Sequence, residues 1–305
     1  MATIREIKRR IRSVKNIAQV TRALEAVSAS KVRKAQAQVM ATRPYAQQAW
    51  EVLTSLTQQP GDKANIHPLL ASRPVRNTGL IVISGDRGLA GPYNVNIVRM
   101  TLEFIHERSA PVHLVTVGRK GRDLLVRAGR HVVAEFSNLS AAPMALEVSP
   151  IGRIVVDEFL AGQADEVYVA YTGFINTLQQ KATIKRLLPL EIEDKERMMA
   201  EYTAGAQVGR LARRAYLYEP AQRGLLDRLI PRFIELQVYQ AVLESLASEH
   251  SARMVAMRNA TDSARDLVGQ LTLTYNKARQ QSITGELLDI AGGAEALKQV
   301  VARAG

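Results

Sequence analysis

Residues 242–267 read VLESLASEHSARMVAMRNATDSARDL, and their spacing decides the fold. Apolar or small residues recur at three- and four-residue steps, from Leu243 and Leu246 through Met257, Ala260, Ala264, Leu267 and Leu271 to Ala278. That spacing lays one stripe along one face of a helix. Ala252, Ala256, Ala260 and Ala264 keep the middle of the stripe thin, so a second helix can approach closely. Glu244, Glu249, Arg253, Arg258, Asp262, Arg265 and Asp266 fall mostly off it. The pattern extends from Leu225 to Ala302, with no proline after Pro231. At about 1.5 Å per residue such a helix is roughly 115 Å long. No globular core is that wide, so it needs another long helix or a sleeve of other subunits.

The N-terminal segment supplies the partner helix. Ile4, Ile7, Ile11 and Val14 keep a helical step, and Ile17, Val20, Leu24 and Val27 continue it after one extra three-residue step. This reads as a stammer that shifts the seam. The predicted helix runs from Thr3 to Leu56, with Pro44 kinking it or marking a joint. Pro60-Gly61-Asp62 ends it. The two chain ends then form a long antiparallel coiled coil, residues 1–58 against 222–305, with an insertion at 75–215.

That insertion alternates. Strands are predicted at Gly79–Ser84, Val112–Val117, His131–Phe136, Glu166–Tyr171 and Thr183–Leu188. Helices are predicted at Asn94–Ser109, Lys120–Ala128 and Ile151–Ala161. Alternation implies βαβ units and a Rossmann-like, mainly parallel sheet, so the chain is α/β in class. The last two strands have no helix between them, which predicts an antiparallel edge. Residues 191–214 read as a partly helical, charged connection.

Composition narrows the function. The chain has 305 residues, no cysteine and a net charge of +12. Disulfides, thiol catalysis and Cys-based zinc sites are excluded. The longest apolar run, Leu80–Ile83, is far short of a membrane span. Charges from Arg5 to Lys15 break up any signal peptide, which predicts a cytosolic protein. Within residues 1–57, eleven basic residues stand against three acidic ones, a local charge of +8. A basic element of this kind suits an acidic partner, or is simply a solvated face.

The best candidate for a ligand loop is Ser84-Gly85-Asp86-Arg87-Gly88-Leu89-Ala90-Gly91, between a strand and a helix. Its glycines match neither Gly-x-Gly-x-x-Gly nor a phosphate loop ending in Lys-Ser/Thr. It therefore reads as a tight turn fixed by its glycines rather than a nucleotide cradle. His67, His106, His113, His131 and His250 lack partners at metal-ligand spacing, and Gly-x-Ser-x-Gly is absent. Nothing in the sequence asks to be an active site, and no cofactor or metal is expected.

Three blocks carry a family resemblance: residues 7–16 (IKRRIRSVKN) with 29–34 (ASKVRK), the Asp86-Arg87-Gly88-Leu89 turn, and residues 249–257 (EHSARMVAM) running on to 275–284 (YNKARQQSIT). In these blocks the chain closely resembles the gamma-subunit family of F-type ATP synthases. The resemblance implies a non-catalytic rotor shaft carrying torque between a proton-driven c-ring and a hexamer of three alpha and three beta subunits. It implies an epsilon subunit as a further partner. It also implies a peripheral position on the cytoplasmic face of a bacterial-type cell membrane, reached only through partner subunits. Arg279, Gln280 and Thr284 match family positions that bind a beta loop, where Arg can fork onto a carboxylate. Leu24 matches the position facing beta's acidic lever, with Lys31, Arg33 and Lys34 near the same surface. Tyr216 and Glu219 match positions that touch the c-ring loops.

Two other classes fit the bare residues. A basic coiled coil on an α/β domain could bind nucleic acid through phosphate electrostatics, but the basic helix offers only Tyr45 and Trp50 as aromatics. An α/β enzyme with helical arms is opposed by the defective glycine loop.

Overall fold

The computed structural model describes residues 3–57, 67–190 and 222–304. Helix α1 spans Ile4–Thr57 and is opened by a reciprocal cap: the Thr3 N–H donates to Glu6 Oε2 and the Glu6 N–H to Thr3 Oγ1. Strand β1 (Thr78–Ile83), α2 (Tyr93–Glu107), β2 (Val112–Val117), α3 (Arg119–Arg127), β3 (Val132–Phe136), α4 (Ala145–Leu160), β4 (Glu166–Phe174) and β5 (Gln180–Leu188) follow. Helix α5 spans Gln222–Ala304. The order and type of the elements agree with the sequence reading, and the charged connection at 191–214 lies outside the described residues. Pro44 and Pro231 both sit inside continuous helices, so Pro44 marks no break in α1. Helix α4 begins six residues earlier than expected. Its first turn is closed by Glu147, which accepts the Met144 N–H, and Pro150 is accommodated within the helix.

The chain resolves into two compact units, residues 1–26 with 256–305 and residues 27–255. The larger unit holds a five-stranded sheet in the order β3-β2-β1-β4-β5. Strand β1 pairs in parallel with β2 and β4, β2 with β3 in parallel, and β4 with β5 antiparallel. One face of the sheet packs on α2 and α3 through Leu80, Val82, Ile97, Leu114 and Leu125. The other packs on α4 and on α5, through Ile81, Val115, Val155, Phe159, Ile230, Phe233 and Val238. Trp50 of α1 joins this second core, its ring 5.5 Å from that of Phe233. Near the other end of this stretch of α1, Lys31 lies close enough to Glu249 to act on its charge. Residue numbers therefore rise along α1 as they fall along α5, and the helices are antiparallel.

In the smaller unit α1 and α5 meet along a seam. On α5 the covered positions Met257, Thr261, Ala264, Val268, Leu271, Tyr275 and Ala278 alternate in four- and three-residue steps, with Ala256 and Ala260 of the expected stripe covered beside them. Leu267, expected on this stripe, is 44% exposed. On α1 the covered positions are Ile4, Ile7, Ile11, Val14, Ala18 and Thr21, followed by Leu24 and Glu25. Thr21 Oγ1 and Thr261 Oγ1 lie 2.7 Å apart; one hydroxyl donates to the other, and the one that accepts is free to donate to a carbonyl of its own helix, Ile17 at 3.0 Å or Met257 at 2.8 Å.

This corrects the predicted stammer. In the larger unit, taken by itself, Ser28, Val32 and Ala35 are buried on α1. Ile17, Val20 and Val27 are instead 52%, 59% and 53% exposed. Both registers have heptad spacing. The bulkier residues suggested one of them, but the partner presents a small hydroxyl at 261, and two threonines satisfy each other there.

Candidate functional site

The turn after β1 is the natural place to look for chemistry. In open α/β sheets, ligands sit beyond the carboxyl ends of the strands where the strand order reverses, which here is between β1 and β4. The turn is built as an internal joint. Ser84 Oγ donates to the Val117 carbonyl at 3.0 Å and accepts the Gly121 N–H at 2.9 Å. Gly118 has φ +95°, and a side chain there would collide with the Ser84 carbonyl. The Gly85 N–H donates to Asn94 Oδ1 at 2.9 Å. Asp86 accepts the N–H groups of Arg119 and Asn138 at 3.1 and 2.8 Å. These donors, which a phosphate would need, are already used within the chain.

The space above the turn is filled by α5. A Cβ on Gly85 would lie 2.8 Å from the Glu249 carboxyl carbon, so the glycine is required by the carboxylate seated on it. Arg253 Nη2 bonds Glu249 Oε1 one helical turn away. The same guanidinium donates through Nε to the Gly88 carbonyl at 3.2 Å and through Nη2 to the Arg87 carbonyl at 3.4 Å. Its Nη1 lies 3.2 Å from His250 Nδ1; guanidinium only donates, so Nδ1 accepts and His250 is neutral. Burial raises the Glu249 carboxyl pKa, opposed by Arg253. Burial, then the charges of Arg253 and Lys31, pushes His250 down to about 4. A buried carboxyl group stands over the glycine turn, and the guanidinium paired with it grips the turn's carbonyls. The arrangement is a clamp, with no nucleophile or base left facing an open cleft.

Below the clamp, three serines at three-residue steps on α5 fasten the end of β4. Ser245 Oγ accepts the Thr172 N–H at 3.1 Å, Ser248 Oγ donates to the Thr172 carbonyl at 2.9 Å, and Ser251 Oγ donates to the Thr177 carbonyl at 2.8 Å. The sequence reading did not single these residues out. The available signal was polar and small residues on a helix face continuous with buried Val242 and Leu243.

The residues predicted to meet partners are placed differently. Arg279, Gln280 and Thr284 are exposed on α5, and Leu24 is half-buried on α1. Lys31 is half-buried and acts on Glu249 and His250, whereas Arg33 and Lys34 face solvent, so this basic trio divides. Tyr216 and Glu219 lie outside the described residues.

The structure adds an exposed apolar surface. Ile17 and Val20 form a stripe one residue off the α1 seam in the smaller unit, and Val27 keeps the same offset in the larger. Stepping back from Thr21 to Ile4 moves the partner position on α5 from Thr261 to about Ala278. Beyond it α5 carries Ile283, Leu287, Leu288 and Ile290, all exposed.

Comparison with known proteins gives one consistent result. The family described as ATP synthase matches residues 3–297. The ATP synthase gamma chain of Dehalococcoides mccartyi (strain CBDB1) is 48% identical over 297 residues, covering 97% of this chain and all of the relative. That of Roseiflexus castenholzii is 48% identical over 308 residues, covering 98% and all of the relative. Among solved structures, a chain of the Euglena gracilis mitochondrial ATP synthase (OSCP/F1/c-ring, rotational state 3) aligns with a TM-score of 0.66. The alignment has 22% identity and covers 96% of this chain and 94% of that one. A chain from the central stalk and c-ring of the Tetrahymena thermophila enzyme gives 0.58 at 24% identity, covering 79% and 99%. At these identities the structural matches speak for the fold alone.

Proposed function

The chain belongs to the ATP synthase gamma-chain family, and from that premise we propose that it works as the rotor shaft coupling proton flow to ATP synthesis. It is a central-stalk subunit. The reading extends to three alpha and three beta subunits around the helices, and to an epsilon subunit and a c-ring against the α/β domain. It also includes a peripheral position on the cytoplasmic face of a bacterial-type membrane. No helix among the described residues is long and apolar enough to cross a membrane, so the reading routes membrane contact through partners.

The observation that carries the proposal is the apolar surface left over once the two helices have paired. Ile17, Val20, Val27, Ile283, Leu287, Leu288 and Ile290 are each about half or more exposed. A pair of helices that keeps a second apolar stripe outside its own seam expects a further layer of protein. Arg279, Gln280 and Thr284 flank that surface as polar contacts for a beta loop. Leu24 faces the acidic lever of beta, with Lys31, Arg33 and Lys34 near the same surface, and Tyr216 with Glu219 meets the c-ring. Chemistry belongs to the partners in this reading: the crevice where an α/β sheet would hold a nucleotide is filled by Glu249 and Arg253.

The test uses membrane vesicles carrying the whole complex, or the complex lacking this chain. ATP-driven acidification is expected only with the chain present. Acidification at an equal rate without it would sink the rotor reading.

A further inference from the structure

We infer that Glu249 and Arg253 are positioning residues that lock the glycine turn of the α/β domain to the shaft helix, so that load on the domain reaches α5 through this pair. The inference rests on the rotor reading and names where within the chain the load crosses.

Two kinds of contact join α5 to the sheet. Lower on the helix, Ile230, Phe233, Ile234, Val238 and Val242 are buried in the main core. Such packing resists separation and sliding by close fit, but its driving force is non-directional, whereas a hydrogen bond also fixes orientation. Higher up the contact becomes polar and directional: Ser245, Ser248 and Ser251 each make one neutral hydrogen bond to Thr172 or Thr177, and the Glu249–Arg253 pair adds the charged contact to the glycine turn. Arg253 reaches two successive carbonyls of the turn while holding Glu249, and Glu249 occupies the one space that Gly85 leaves. A planar guanidinium holding both a carboxylate and two carbonyls fixes orientation as well as distance. The turn is itself tied to the rest of the domain, through Ser84 to β2 and α3 and through Asp86 to residues 119 and 138. Gripping it therefore grips the sheet. Among the described residues, no other guanidinium of α5 bonds the backbone of the α/β domain.

The chain has no cysteine, so a switchable replacement can be built. In Gly85→Cys/Glu249→Cys/Arg253→Ala, both charges leave together and a disulfide is to span the space of the carboxylate, a Cβ at 85 lying 2.8 Å from the present carboxyl carbon. The variant is assembled oxidised into the whole complex in vesicles and then reduced in place. Hydrolysis and ATP-driven pumping are measured in both states of the same preparation.

Oxidised, protons pumped per ATP should lie within twofold of wild type. Reduced, hydrolysis should stay within twofold while the pumping ratio falls at least fivefold, and re-oxidation should restore it. A merely structural role would not make the ratio follow the bridge. A reduced variant that pumps at the wild-type ratio overturns the proposal. So does a low ratio in a complex whose bridge is verified by mass. Vesicles lacking the chain serve as the control: pumping there would mean that the rotor reading itself has failed, a result distinct from failure of the clamp.

Discussion

Val27 and Val32 lie five residues apart on α1 and carry the same side chain, but Val27 is 53% exposed and Val32 is 5% exposed. Truncating each to alanine separates the observed seam from the one that bulk alone suggests. At Val32 the loss of two buried carbons costs about 1.6 kcal/mol at roughly 0.8 each, and a residual cavity adds to it. Alanine's better helix propensity returns about 0.6 kcal/mol. The net cost is about 1–2 kcal/mol. At Val27 only about half the transfer term applies, roughly 0.8 kcal/mol, and the propensity gain cancels most of it. Native-state hydrogen exchange of the α1 amides on the free chain reads local stability without assuming that the chain unfolds in one step. Val32→Ala should lower the opening free energy by about 1–2 kcal/mol and Val27→Ala by less than about 0.5. Equal costs, or a larger one at Val27, would put the seam on 17, 20, 24 and 27 and refute the assignment. In the assembled complex the order should reverse for coupling, because Val27 belongs to the surface left for partners.

Other outcomes follow from the same geometry. The isolated chain should bind no ATP by titration calorimetry, since Glu249 fills the crevice over Gly85; stoichiometric heat would contradict that. Ala264→Leu overfills a covered seam position and should cost about 1–3 kcal/mol of helix pairing, seen as faster exchange at residues 7–21 and 257–278 with the sheet amides unchanged. Removing Gly293–Gly305 should leave hydrolysis and pumping largely intact. Removing the chain back through Arg279 should impair coupling sharply, and equal losses in both truncations would show that the distal tip carries torque. His250 is held neutral in the fold down to about pH 4 but protonates near 6.5 when unfolded. The unfolded state therefore binds more protons in that window. Its contribution to stability is present above about pH 6.5 and is lost as pH falls toward 4, by up to about 1.4 kcal/mol per pH unit. His250→Gln should flatten that part of the stability profile, and an unchanged slope would show that another group sets it.

Much of this fold is legible in the chain because its strands are short apolar runs and its helices have periodic stripes. Leu80–Ile83 could only be a buried strand, and the absence of a helix between β4 and β5 fixed their antiparallel pairing. What misled was local bulk. Ile17, Val20 and Val27 look like core and are surface, while Ala18, Thr21 and Ser28 look neutral and are covered. Seam register is decided by the facing helix 240 residues away, at the Thr21–Thr261 pair, and not by propensity within one segment. The clamp was illegible for the same reason. Glu249 and Arg253 at i, i+4 resemble any surface ion pair, and only the fold sets Gly85 beneath them. The absence of a phosphate loop was readable, and the structure supplies its physical counterpart, a carboxylate where a ligand would stand.

The rotor reading is tested most directly by watching the chain itself. Leu178, on the turn between β4 and β5, is 79% exposed, and Leu178→Cys gives this otherwise cysteine-free chain one thiol for a bead, on a complex whose alpha and beta subunits carry no reactive thiol and are fixed to glass. The account predicts continuous rotation in one direction on adding ATP, stopping when ATP is withdrawn. A bead that holds a fixed azimuth while the same complexes hydrolyse ATP would contradict it.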